Sequence, residues 1–142
     1  MRAPFVFRRA VRFDEIDAAG FVYFPRLAAL AHEAMERIFE AAGDGGYARW
    51  VNGVDGPRIG FPCVHLACDF RAPLRFGDEL VVAATVGNIG TTSVQFTVVV
   101  SRGDGVDCAT IDYVVACARL EGPRKEPLPD TLRAMLSRHQ VA

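Results

Sequence analysis

Leu27, Leu30, Ala31, Ala34, Met35, Ile38, Phe39 and Ala42 repeat at the i, i+3, i+4, i+7 spacing of a single helix face. This stripe constrains the fold more than any other stretch, because an apolar face so long and broad needs something large and flat to lie on. Pro25 suits the first turn of such a helix, where a missing N–H costs nothing. Gly43 suits the position just beyond its last turn. Glu33 and Arg37 stand one turn apart on the outer face and can pair.

The remaining sequence supplies the flat partner. Phe5–Phe13 alternates, with Phe5, Phe7, Arg9, Val11 and Phe13 on one side and Val6, Arg8, Ala10 and Arg12 on the other, as a half-buried strand does. After the helix, Asp44–Pro62 is irregular and rich in Gly, and its Tyr47, Trp50 and Phe61 suggest a packed loop rather than a linker. Strands follow at Cys63–Ala72, Glu79–Asn88, Thr92–Ser101 and Val106–Leu120, the last long enough to hold a bulge. A turn at Pro73–Asp78 separates the first two, and Arg102–Gly105 reads as a hairpin turn between the last two. Pro127–Pro129 breaks the pattern, and Asp130 can cap a short helix through Leu136. A strand, a long helix and then about four strands predict one α+β domain over residues 1–142, its helix lying on a single antiparallel sheet. The sheet's far face and edges then need cover, which favours an oligomer.

Composition removes several classes of function. A chain of 142 residues, 51% hydrophobic and 23% charged, suits one real core. Sixteen basic and seventeen acidic residues give a net charge of −1, without the basic excess of a general nucleic-acid binder. The four cysteines at 63, 68, 108 and 117 form no C-x-x-C and read as free thiols, mostly buried, not as a zinc ribbon or a disulfide scaffold. His32, His65 and His139 lack metal-ligand spacing, so no metal is expected. The first thirteen residues interrupt their apolar positions with arginines and show no signal-peptide core. No apolar run approaches a membrane span. A cytoplasmic protein without membrane contact is expected.

The chemistry concentrates in Asp14–Pro25, D-E-I-D-A-A-G-F-V-Y-F-P. It sets a carboxylate beside the start of the long helix. A helix start offers free N–H donors for a developing oxyanion, and a carboxylate offers a base or a nucleophile. From spacing alone Asp17 suits a turn equally well. Gly20 allows positive φ or close approach of backbone to a ligand. Asp14 and Glu15 read as solvated acids.

Val11-Arg12-Phe13, the run Asp17-Ala18-Ala19-Gly20-Phe21-Val22-Tyr23-Phe24 and the helix after it resemble the hotdog-fold thioesterases. They look most like the 4-hydroxybenzoyl-CoA thioesterase family, in the branch marked by D-x-A-G-[hydrophobic]-V-[aromatic]-[aromatic]. The resemblance implies a long helix wrapped by a curved antiparallel sheet of about five strands. It also implies subunits paired edge to edge, with active sites at their interface, and dimers pairing again into tetramers. The implied reaction is hydrolysis of an acyl-CoA without a diffusible cofactor. Asp17 falls on the family's catalytic aspartate and the Phe24 N–H on its oxyanion donor, with Gly20 as the permissive hinge. Val22 and Tyr23 would wall the acyl or pantetheine channel, or simply pack in the core.

The implied substrate is less defined. Phe61, after Gly60, matches the loop bordering the acyl pocket, or packs within that loop. His32 stands in the helix region where the hydroxybenzoyl enzyme carries an acid near the substrate's ring hydroxyl. The segment Gly87–Thr92 lacks the basic residues of that branch, which leaves Arg71, Arg75 or Arg124–Lys125 to meet CoA phosphates. An aromatic acyl group such as benzoyl or hydroxybenzoyl leads, ahead of short-to-medium chains. Two rivals stand beside hydrolysis. One is an acyl-thioester dehydratase or hydratase using His32 with Glu36, although Glu36 falls on the solvent face. The other is a non-catalytic acyl-CoA-binding protein on the same fold.

Overall fold

The computed structural model describes residues 2–43 and 45–141. Its order is β1 (Phe5–Ala10), a 3-10 turn (Phe13–Glu15), α1 (Phe24–Ala42), α2 (Gly46–Asn52) and β2 (Ile59–Gly60). Then come β3 (Cys63–Phe70), β4 (Glu79–Ile89), β5 (Ser93–Arg102), β6 (Asp107–Ala116), β7 (Ala118–Arg119), β8 (Arg124–Lys125) and α3 (Asp130–Ser137). Five strands form one antiparallel sheet in the order β1-β4-β5-β6-β3, and β2, β7 and β8 form a small second sheet.

The apolar stripe does what its period requires. Leu27, Leu30, Ala31, Ala34, Met35, Ile38 and Phe39 are all buried on α1. They meet the alternate residues of the central strands, including Val82, Ala84 and Val86 of β4, Phe96 and Val98 of β5, and Ile111 and Val115 of β6. Pro25 sits in the first turn and Gly43 follows the last at φ 84°. Ala42, in the last turn of α1, is exposed. A long helix laid on a five-stranded antiparallel sheet is the hotdog arrangement.

Several boundaries differ from the sequence reading. The first strand ends at Ala10, and Phe13 turns outward in the 3-10 turn, because Glu15 Oε1 accepts the Arg12 N–H at 2.8 Å and folds the chain over. Within Asp44–Pro62 the residues from Gly46 to Asn52 are helical, with Tyr47 packed on Phe39 and Phe61; Asp44 lies outside the described residues. Val106–Leu120 is two strands, because Ala118 and Arg119 pair with β2 and β8 of the small sheet instead of continuing the five-stranded one. Asp130 is the first residue of α3, with Pro129 at the cap and no capping bond from a side chain.

β3 closes one side of the sheet and most of it is exposed, including Val64, Leu66 and Phe70. No helix among the described residues is long and apolar enough to cross a membrane.

Candidate active site

The loop between β1 and α1 is a small folded unit. The Asp17 N–H donates to the Phe21 carbonyl at 2.8 Å, and the Gly20 N–H returns to the Asp17 carbonyl at 3.0 Å. Gly20 has φ 88°, a value an L side chain rarely tolerates. Asp17 Oδ1 accepts the N–H groups of Ala19 at 2.9 Å and Phe21 at 3.2 Å. One carboxylate oxygen thus fastens the turn, while Oδ2 makes neither bond. The loop leans on the Pro73–Asp78 turn. The Val22 N–H donates to the Leu74 carbonyl at 2.8 Å, and the Arg75 guanidinium lies 5.0 Å from the Phe21 ring centre.

A charged cluster lies under the loop. Arg9 makes two bonds to Glu15, both at 2.8 Å, and two more to Glu33, at 3.0 and 2.9 Å. Arg37 also donates to Glu33, at 3.0 Å. Glu15 is therefore not a solvated acid. It is the one buried charged residue among those described, at 6% exposure. The bonds from Arg9 hold its carboxyl below the ordinary range. Burial would raise the Glu33 carboxyl, but Arg9 and Arg37 together pull it below as well. Asp14 is exposed and meets Arg26 at 3.1 Å.

The cluster and the loop fix the start of α1. The Tyr23 N–H donates to the Glu15 carbonyl at 2.9 Å. Pro25 has no N–H, and the Arg26 and Leu27 N–H groups both turn back to the Tyr23 carbonyl, at 2.8 and 3.4 Å. The first turn is left with one outward donor, the Phe24 N–H, with the positive end of the helix dipole behind it.

Beside this helix start runs an open groove of about 650 Å³ between α1 and the β3 side of the sheet. Phe24, Pro25, Ala28, Ala29, Leu66 and Phe70 give it apolar walls. His32 and Tyr113 add polar atoms, and the thiols of Cys63 and Cys68 line it too. Of the four cysteines, only Cys108 and Cys117 are buried. His32 Nδ1 is 3.1 Å from the Tyr113 hydroxyl, and Nε2 is 2.8 Å from Glu36 Oε1. Glu36 is exposed, as its place on the helix implies, yet it reaches His32 across one turn. Burial raises the Tyr113 hydroxyl well above its ordinary value.

The residues singled out from sequence divide accordingly. Phe24 and His32 meet in the groove. Asp17 and Gly20 sit in the adjoining loop. Val22 is buried in the core at 8% exposure, and Tyr23 is half-exposed as the residue before α1. Phe61 is buried at 4%, edge-on to Phe39, its N–H donating to the Tyr47 hydroxyl at 3.3 Å. Neither Val22 nor Phe61 lines the groove. Tyr113 escaped the sequence reading, although a polar-tipped aromatic on the buried face of a Val/Ile-rich strand is a signal. Of the candidate phosphate contacts, Arg71, Arg75, Arg124 and Lys125 are all exposed.

A hotdog fold with an apolar groove beside an uncapped helix start suits a thioester hydrolase. The chain belongs to the Thioesterase-like superfamily, whose family model matches residues 11–136. It is 33% identical over 128 residues to a 1,4-dihydroxy-2-naphthoyl-CoA hydrolase of Nostoc punctiforme, covering 90% of this chain and 83% of that one. A relative of the same name from Synechococcus elongatus is 28% identical over 134 residues, covering 94% and 96%. The crystal structure of a 1,4-dihydroxy-2-naphthoyl-CoA thioesterase from Synechocystis superposes with a TM-score of 0.81 at 25% identity, covering 94% of this chain and 96% of that one.

Proposed function

We propose that this protein hydrolyses an aromatic acyl-CoA to the free acid and CoA, with Asp17 as the catalytic carboxylate and the Phe24 N–H as the oxyanion donor. The observation that carries the reading is the start of α1, where Phe24 alone keeps an outward N–H beside an apolar groove. A donor of this kind stabilises charge that develops on the carbonyl oxygen only as the bond to the nucleophile forms. The names of the relatives, whose acyl groups are aromatic, favour an aromatic acyl group here. The D-A-A-G-F-V-Y-F run favours the branch of 4-hydroxybenzoyl-CoA thioesterases with its acid in the first loop.

In this reading Asp17 works through Oδ2, since Oδ1 holds the turn. Two routes fit. Asp17 attacks the thioester carbonyl, CoA leaves as the thiolate, and water then cleaves the anhydride. Alternatively Asp17 takes a proton from the water that attacks. The exposed β3 edge, with Val64, Leu66 and Phe70 uncovered, supports two copies pairing along this strand, with the site at their junction and a further pairing into a tetramer. No diffusible cofactor takes part, and the setting is cytoplasmic.

The test is thiol release across a panel of aromatic and aliphatic acyl-CoAs, with the native protein and Asp17→Asn. The Asn amide oxygen can keep the two turn bonds while the charge is lost. The expected result is turnover of aryl-CoAs that falls by ~10³ or more in the variant, the scale of a lost nucleophile or base. Near-native turnover by Asp17→Asn would overturn the assignment.

A further inference from the structure

Building on the proposed aryl-CoA hydrolysis, we infer that α2 is a hinged flap over the far end of the groove, held shut by Tyr47. An acyl group longer than one ring enters only when the flap moves.

α1 measures the groove. Phe24 stands at its start, and His32 lies eight residues on, a rise of ~12 Å. Phe39 is seven residues further, another ~10 Å. The Tyr47 ring stands edge-on to His32, with centres 5.8 Å apart, and leans on Phe39 at 5.4 Å. Tyr47 therefore lies over α1 just past the last groove residue on that helix. Allowing ~3 Å for a hydrogen bond at Phe24 and ~4 Å for contact at His32, about 5 Å remains, the length of one ring. A second ring in line runs onto His32 and Tyr47.

The segment that carries Tyr47 is loosely held. Gly46 is the one buried residue of α2, while Tyr47 and Trp50 are half-buried. Two cavities flank the helix. One of about 470 Å³ separates it from Pro127–Asp130, and one of about 390 Å³ lies between it, the end of α1 and α3. Trp50 lines both. α2 can shift into this space without drawing a core side chain into water. Glycines with positive φ stand at both ends, Gly45 at 88° and Gly46 at 62° before the helix and Gly53 at 67° after it. Glycine backbone moves between regions closed to other residues, which suits a hinge.

Tyr47 is the tie between this segment and the core. Its ring meets Phe39 and Phe61, and its hydroxyl accepts the Phe61 N–H at 3.3 Å, a long hydrogen bond. When Tyr47 withdraws, Phe39 and Phe61 remain as apolar walls for the outer part of a longer acyl group.

Trp50 is the chain's one tryptophan, so its emission follows α2. The probes are S-benzyl-CoA and S-(4-phenylbenzyl)-CoA, thioethers that resist hydrolysis, one ring long and two. Quenching of Trp50 by acrylamide should rise when the two-ring probe saturates the native protein and stay unchanged with the one-ring probe. The companion assay is thiol release from benzoyl-CoA and 4-phenylbenzoyl-CoA. The native protein should favour the single ring by about tenfold in kcat/KM, because the longer group must displace the flap. That ratio should fall toward one in Tyr47→Ala and part of the way in Tyr47→Phe, which loses only the bond to Phe61. A variant that merely packs less well slows both substrates and leaves the ratio unmoved. Equal quenching with both probes overturns the inference, as does a native protein that never binds the two-ring probe or an unchanged ratio in both variants. In each case hydrolysis of benzoyl-CoA keeps the aryl-CoA reading standing. If only aliphatic acyl-CoAs are cleaved, that reading falls. The ratio for hexanoyl-CoA against dodecanoyl-CoA, with S-hexyl-CoA and S-dodecyl-CoA as probes, then decides the flap by the same outcomes.

Discussion

The N–H of Tyr23, the residue that opens α1, donates to the carbonyl of Glu15 at 2.9 Å. The Glu15 carboxylate is clasped by Arg9, and Arg9 in turn holds Glu33 in the middle of the same helix. One half-buried guanidinium therefore links the first strand, the base of the Asp17 loop and α1. The orientation of the Phe24 N–H depends on a charge cluster that lines no part of the groove.

Glu15→Ala removes the acceptor for both Arg9 and the Arg12 N–H. The expected loss is about 3 kcal/mol of stability, at the low end for a broken buried pair because Arg9 retains Glu33. Urea unfolding measures it. In thiol-release assays kcat should fall more than KM rises, and Glu15→Gln, which keeps an acceptor, should restore part of both.

The same cluster sets an acid limit. Glu15 and Glu33 both titrate below their ordinary value of 4.5 in the folded protein. A folded-state pKa below the unfolded one gives stability that is complete above about 4.5 and is lost as the pH falls through the folded values. Arg9→Met removes the leading cause of both depressions, while Arg37 still acts on Glu33. It should cost about 3–5 kcal/mol near neutrality and flatten the loss of stability between pH 5 and pH 3, roughly the carboxylate range. Urea midpoints across that range, native against variant, decide it.

Phe24→Pro isolates the donor. Proline is accepted at the first helical position, and Tyr23 already has the extended geometry proline requires before it, φ −64° and ψ 129°. Only the N–H and the ring are lost, and Phe24→Ala controls for the ring. The proline variant should lose about 10²–10³ in kcat relative to the alanine variant. Equal rates would remove the Phe24 N–H from the mechanism.

Asp17 has a structural duty separable from its proposed chemistry. Asp17→Ala leaves the Ala19 and Phe21 N–H groups without their acceptor and should cost about 1 kcal/mol. Asp17→Asn should cost much less. Thermal unfolding of the two variants makes the comparison.

Gly20→Ala meets no atom within 4 Å, so its cost is conformational alone. At φ 88° that cost is about 1–2 kcal/mol. A melting temperature equal to that of the native protein would show that the loop relaxes to another conformation.

Local pattern alone determined the frame. The period of Leu27–Phe39 marked the helix, and the alternation of Val94, Phe96, Val98 and Val100 marked a central strand, because each side chain's direction there follows from its own backbone period. Pro25, Gly20 and Gly43 were equally legible, since their preferences lie in their own φ angles. The tertiary structure decided which acid is buried. Asp14, Glu15 and Asp17 lie within four residues of one another, and only Glu15 falls beneath Arg9, a residue brought there by the pairing of β1 with β4. It also decided the polar end of the groove. His32 and Tyr113 are 81 residues apart and meet only because α1 packs on β6. Burial and long-range hydrogen bonds depend on what the rest of the chain places opposite a residue, which no local period carries.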